Sequence, residues 1–173
     1  MSINAHMNRS TTLPTIERQS VLPDIVGLGG AIAGLIGGLA MALAGFLMAL
    51  ASGEDIWYAP KQIAAAFVST PLSEQPGFVL WPVVAGSLMH LLFSVVLGAL
   101  FGIVTRRLLH LPSRFGIPVV TGLIYGLTIW LIVYFVFLPV MNPQLLYIYA
   151  PMFIIQHIVF GVVLGAAYSL LRP

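Results

Sequence analysis

Two histidines, His90 and His157, each stand inside a long uncharged stretch, and theirs are the side chains whose type and setting could do chemistry. An ionisable residue in so apolar a run is costly to charge, tends to face a bundle interior, and marks a functional site by default. Their surroundings match without a gap: His90-Leu-Leu-Phe-Ser94-Val-Val-Leu-Gly98-Ala99 against His157-Ile-Val-Phe-Gly161-Val-Val-Leu-Gly165-Ala166. Three roles fit such a pair. Opposed imidazoles could be the axial ligands of a b-type haem, with the glycines one and two turns away making room for the macrocycle. They could carry protons or line a substrate path. Or each could hydrogen-bond a nearby hydroxyl or carbonyl, with Ser87, Ser94, Thr121, Thr128 and Gln156 as candidate partners, and so hold helices together. The third role is the expectation, and no cofactor is expected; haem b is the alternative.

Other chemistries lack their parts. With no cysteine there are no thiolate metal sites, iron–sulfur clusters or disulfides. The apolar stretches hold no carboxylate to orient a histidine beside Ser87 or Ser94, so no nucleophilic triad is expected. Met41, Met89 and Met152 read as gap-filling side chains, and no metal site is expected. Glu54, Asp55 and Glu74 share one loop and read as solvated, while His6 and His110 have no visible partner. No glycine has the Gly-Lys-Ser/Thr ending of a phosphate loop.

The elements that position the histidines follow from composition. Of 173 residues, 60% are hydrophobic and 7% charged, far from the roughly 25% charged residues of a soluble domain. The formal charge of +2 is scattered, with no basic cluster to meet a run of phosphates, so nucleic acid is not an expected partner; the lipid bilayer is. A hydrocarbon core about 30 Å thick needs roughly 20 apolar helical residues. Four spans meet that length, at 25–51, 79–104, 116–138 and 151–171, with Pro118 and Pro151 in first turns where a missing N–H costs nothing. The fold class is thus an all-α polytopic membrane four-helix bundle. Residues 24–173 form one domain, preceded at 1–23 by a polar tail without periodicity that is expected to be disordered. The loop at 52–78 has a helix start and an alanine-rich body at 60–68, expected as a short interfacial helix.

Basic residues near helix ends are retained on the cytoplasmic side. Arg9, Arg18, Arg106, Arg107, Arg114 and Arg172 share one face of this topology, and Lys61 alone falls on the other. Both termini are therefore expected in the cytoplasm, in a multi-pass protein of the cell membrane. Trp57, Tyr58, Trp81, Tyr147 and Tyr149 sit at the outer ends, the headgroup level favoured by amphipathic rings. Ala49-Leu50-Ala51 imitates a signal-peptidase site, yet the apolar run before it is too long for a secretory leader, so the first span is expected to stay as a helix. Counting from Arg106 and Arg172 puts both histidines roughly 23 Å above the cytoplasmic edge.

The match around the histidines extends to a repeat. Gly34-Leu-Ile-Gly-Gly38 echoes Gly122-Leu-Ile-Tyr-Gly126, so the bundle reads as two helical hairpins in a parallel repeat, with the long outer loop an insertion in the first. Small residues recur every four positions: Gly30, Gly34, Gly38; Gly86, His90, Ser94, Gly98, Gly102; Gly122, Gly126; His157, Gly161, Gly165. Such ridges let backbones approach closely where lipid supplies no hydrophobic drive. The first helix carries a second row, Ala33, Gly37, Met41 and Gly45, implying two helix neighbours, or one neighbour and another chain.

The glycine-rich first helix, the Ile56-Trp57-Tyr58-Ala59-Pro60-x-x-Ile63-Ala64-Ala65 stretch and the two His-x3-Ser/Gly-x3-Gly helices together resemble uncharacterised four-helix integral membrane proteins of bacteria and archaea, over about 29–171. The resemblance implies the fold and transfers no activity. The expected function is non-enzymatic: a structural or accessory subunit packing through glycine faces in a homo-oligomer or larger membrane complex. A haem-bearing electron-transfer subunit and an oligomeric permease or channel are the alternatives.

Overall fold

The apolar stretches are helical in the structure, a computed structural model that describes residues 27–65, 67, 74–110, 116–141 and 150–171. The tail expected at 1–23 lies outside the described residues. Among the described residues there is no strand, and four helices are long and apolar enough to cross a membrane: Leu28–Ser52, Leu80–Leu108, Ile117–Met141 and Ala150–Leu171.

Local chemistry sets their ends. Helix α1 (Leu28–Ser52) stops at Gly53, whose φ of 72° is a left-handed conformation that glycine adopts at little cost. There the Glu54 amide donates to the Ala49 carbonyl at 2.9 Å and the Gly53 amide to the Leu50 carbonyl at 3.3 Å, satisfying carbonyls that the helix leaves open. Helix α2 (Tyr58–Ala65) starts where the Asp55 carboxylate accepts the Trp57 amide at 2.9 Å. It begins two residues before the 60–68 expected, and positions 66 and 68 of that expectation lie outside the described residues.

Helix α3 (Leu80–Ile103) continues as a π-helical turn, Val104–Leu108. The second span thus runs past 104, and Arg106 and Arg107 lie in its last turn, where cations oppose the helix dipole. Helix α4 (Ile117–Ile132) also widens to a π turn, Val133–Phe137, before a final turn α5 (Leu138–Met141). The span expected to end at 138 runs on to Met141, so the helix passes through Pro139. Proline has no amide to give the Phe135 carbonyl and its ring crowds that carbonyl, and the widened turn just before it absorbs the misfit. Helix α6 (Ala150–Leu171) matches its expected span.

Helix α1 is central: it packs against α3 and against α6, α4 packs against α6, and α2 packs on α3. Between α3 and α4 the bridge is made by large side chains. The Tyr125 hydroxyl donates to the Leu97 carbonyl at 2.8 Å, and the Tyr125 ring lies 5.3 Å from that of Phe101. Phe101, Ile129, Phe160, Leu164, Ala167 and Tyr168 close the core around Ala33. The end of the bundle holding Ser52, Leu80 and Met141 is called upper below, and the end holding Leu28, Leu108 and Leu171 lower.

Candidate functional site

Both histidines lie in the upper half of the bundle, on α3 and α6. His157 is buried, 5% exposed, and His90 is half-buried. His90 Nε2 donates to the Gly38 carbonyl of α1 at 2.9 Å, and His157 Nδ1 donates to the Phe153 carbonyl of its own helix at 2.9 Å. A carbonyl can only accept, so the two rings carry their protons on opposite nitrogens. The Phe153 ring stands edge-on to His157 at 4.5 Å, and Tyr134 of the π turn and Trp130 of α4 extend this aromatic row. Three of the hydroxyls expected as partners serve their own helices: Ser94 donates to the His90 carbonyl at 2.8 Å, Thr121 to the Ile117 carbonyl at 2.5 Å and Thr128 to the Ile124 carbonyl at 2.8 Å. Ser and Thr do this readily inside a helix, where the carbonyl one turn back is always in reach.

The small residues around the histidines are in backbone contact with neighbouring helices. A Cβ on Gly34 would meet the Ser94 carbonyl and lie 2.7 Å from Gly98 Cα; one on Gly98 would lie 2.5 Å from Gly34 Cα; one on Gly102, 3.0 Å from Gly30 Cα. In the other helix pair, Gly122 meets the Gly161 carbonyl and Gly165, while Gly126 meets the His157 carbonyl and Gly161. Gly38 faces Ser94, Gly30 faces Gly98, and Gly86 faces the Pro60 carbonyl of α2. The second row on α1 meets α6: Gly37 faces Phe160 and Leu164, and Gly45 faces the Gln156 amide. Each of the eleven small residues singled out by spacing, His90 and His157 aside, thus faces another helix of the same chain.

The loop above α3 holds a site that spacing did not reveal. Lys61 is 1% exposed, and its ammonium donates to Asp55 Oδ2 at 2.6 Å, the Gln75 carbonyl at 2.5 Å and the Gly77 carbonyl at 3.1 Å. Three donors thus find three acceptors, the condition under which a buried ammonium is tolerated. Asp55 Oδ2 also accepts the Gly77 amide at 3.1 Å. Burial alone would raise the Asp55 carboxyl, but the hydrogen bonds from Lys61, Trp57 and Gly77 outweigh it and hold the group below its ordinary value. Of the three acids expected to be solvated, Asp55 is therefore half-buried and ion-paired, whereas Glu54 and Glu74 are exposed. Its proximity to Lys61, six residues on, was the available signal, hidden because the other acceptors are main-chain carbonyls.

Among the described residues no three His, Asp or Glu side chains converge on a common point that could hold a metal ion. Among the described residues, the buried indole nitrogen of Trp130 is the one buried side-chain polar atom without a hydrogen-bond partner.

No curated protein and no solved structure matched the chain. A family model does, across 25–173, from the start of the first span through all four spanning helices and both histidines. The chain belongs to that family, the family of unknown function DUF6789.

Proposed function

We propose that this protein is a multi-pass protein of the cell membrane, both termini cytoplasmic, that serves as a structural or accessory subunit rather than through a bound cofactor. The observation that carries this reading is that the glycine ridges and one nitrogen of each histidine are spent on contacts inside the chain. The ridges therefore build the bundle itself. Association with a second copy or a larger complex falls to the exposed large side chains of the exterior, such as Leu39, Leu43 and Leu50 on α1. The basic residues Arg106 and Arg107 at the lower end support a cytoplasmic lower face.

The two-hairpin repeat is supported by equivalent contacts: Gly34 against Ser94 and Gly98 in one pair, Gly122 against Gly161 and Gly165 in the other. These are the positions that the sequence match aligns. The histidines break the symmetry, since His90 reaches across to α1 while His157 bonds its own helix.

Haem between the histidines is the reading that this packing opposes. A histidine whose Nδ1–H is held by a carbonyl is the usual form of a metal ligand, and His157 has it. His90 instead gives Nε2 to Gly38, and the glycines that would make room for a macrocycle are in backbone contact. A permease path is opposed by the apolar plug of Phe101, Phe160, Leu164 and Tyr168. The test is a visible spectrum, before and after dithionite, of protein purified in mild detergent from haem-replete cells, with native mass spectrometry of the same sample. The expected protein is colourless and carries protein or lipid mass only. A Soret band with reduced α and β bands, lost in His90→Ala and His157→Ala, would overturn the proposal.

A further inference from the structure

Helix α2 does not cross the end of α3; it runs down its side. A Cβ on Gly86 would touch the Pro60 carbonyl and lie 3.2 Å from the Ala64 amide nitrogen, and seven residues further along each chain Phe67 packs on Phe93, ring centroids 5.6 Å apart. The Phe67 amide donates to the Ala64 carbonyl at 3.1 Å, a turn-type bond that ties Phe67 to the end of α2. At 1.5 Å per residue α3 advances about 10 Å between these contacts, so the α2 segment descends beside it in the same direction. A helix lying flat at the upper surface would touch α3 at one level only. Phe93 is 13 residues into α3, about 20 Å below its start at Leu80.

The segment suits that position. From Pro60 to Phe67 its one charged residue is Lys61, whose ammonium is saturated by Asp55, Gln75 and Gly77, and whose alkyl stem lets the charge reach residues flanking the loop. Positions 86, 90 and 93 of α3 fall on one helical stripe, so the flank that α2 covers is the flank that carries His90.

We propose that α2 is a strap inserted into the upper leaflet along the His90 flank of α3, latched in place by the Lys61–Asp55 pair. This rests on the membrane reading above. Removing Asp55 leaves a buried ammonium short of its counter-charge, and the strap withdraws toward water to solvate it. Removing both charges restores an insertable segment.

The chain has no cysteine, so single nitroxide labels can be placed cleanly. Labels at Tyr58→Cys, Phe67→Cys and Leu92→Cys, all exposed side chains, are compared in phospholipid vesicles by accessibility to oxygen and to a nickel chelate. Leu92 is the bilayer reference: if it favours the nickel chelate, the membrane reading itself fails. With Leu92 in lipid, the strap predicts Phe67 about 10 Å deeper than Tyr58, and equal depths overturn it. In an Asp55→Ala background the Phe67 label becomes at least several-fold more accessible to nickel, and Lys61→Met in addition reverses this. A Phe67 label that keeps its depth in Asp55→Ala overturns the latch.

Discussion

Gly34→Ala separates a backbone contact from a loose one, and its cost can be worked from the structure. The new methyl would lie 2.7 Å from Gly98 Cα and 3.0 Å from Gly98 N, with the Ser94 carbonyl closer still, where ordinary contact begins at 3.4 Å. All three atoms are main chain and cannot rotate away, so α1 and α3 must spread by about 1 Å. Overpacking of this kind costs about 1–3 kcal/mol, more where backbone must move, against roughly 0.5–1 kcal/mol regained from alanine in a helix. A net loss of about 2 kcal/mol lowers the unfolding midpoint of a chain this size by roughly 4–8 °C. Gly45→Ala, on the same helix, meets only the Gln156 amide at 3.1 Å, the far end of a flexible side chain, and should leave the midpoint unchanged or slightly raised. Gly37→Ala, facing the Phe160 carbonyl at 3.0 Å and Leu164 Cβ at 3.4 Å, falls between them. Thermal unfolding followed by circular dichroism in one detergent ranks the three, and a Gly34→Ala protein as stable as Gly45→Ala would refute the close approach of α1 and α3.

Other perturbations have equally direct outcomes. Tyr125→Phe removes the hydroxyl that bridges α4 to the Leu97 carbonyl and should cost about 0.5–1.5 kcal/mol in the same assay, with the helical signal kept; no change in midpoint would mean the bridge contributes nothing. His90→Ala removes a bond between helices and should lower the midpoint by a few degrees, as expected for roughly 0.6 kcal/mol plus lost packing; a variant with no cooperative transition would contradict the role of glue. Asp55 has its pKa depressed in the folded chain below 3.8, so its contribution is present above the ordinary aspartate range and is lost as pH falls through the folded value. The stability gap between the unaltered chain and Asp55→Asn should therefore narrow below pH 3.8; a gap independent of pH would contradict the ion pair.

The spans were legible because hydropathy over 20 residues is a strong signal, and the glycine ridges because a four-residue spacing puts them on one face. Spacing could not say which helix each ridge meets: the two rows on α1 were equally consistent with a second chain until Gly37 and Gly45 were found against α6. The π turns were invisible, since widening a helix by one residue leaves composition untouched, although Pro139 marked one of them. His90 and His157 were found by type, but their acceptors are carbonyls of Gly38 and Phe153, which any sequence would supply. Lys61 was read by its position relative to the bilayer, and its burial depends on main-chain acceptors fifteen or so residues away.

That both glycine rows of α1 are spent within one chain is tested most directly by joining α1 to α6. A Cβ on Gly37 lies 3.4 Å from Leu164 Cβ, close to the separation found in disulfides, and the chain has no cysteine of its own. Mild oxidation of a Gly37→Cys, Leu164→Cys protein in membranes should give a disulfide inside the monomer, seen as a monomer-sized species whose two thiols resist alkylation until reduction. A disulfide-linked dimer, or two freely alkylated thiols, would contradict the internal packing on which the proposed function stands.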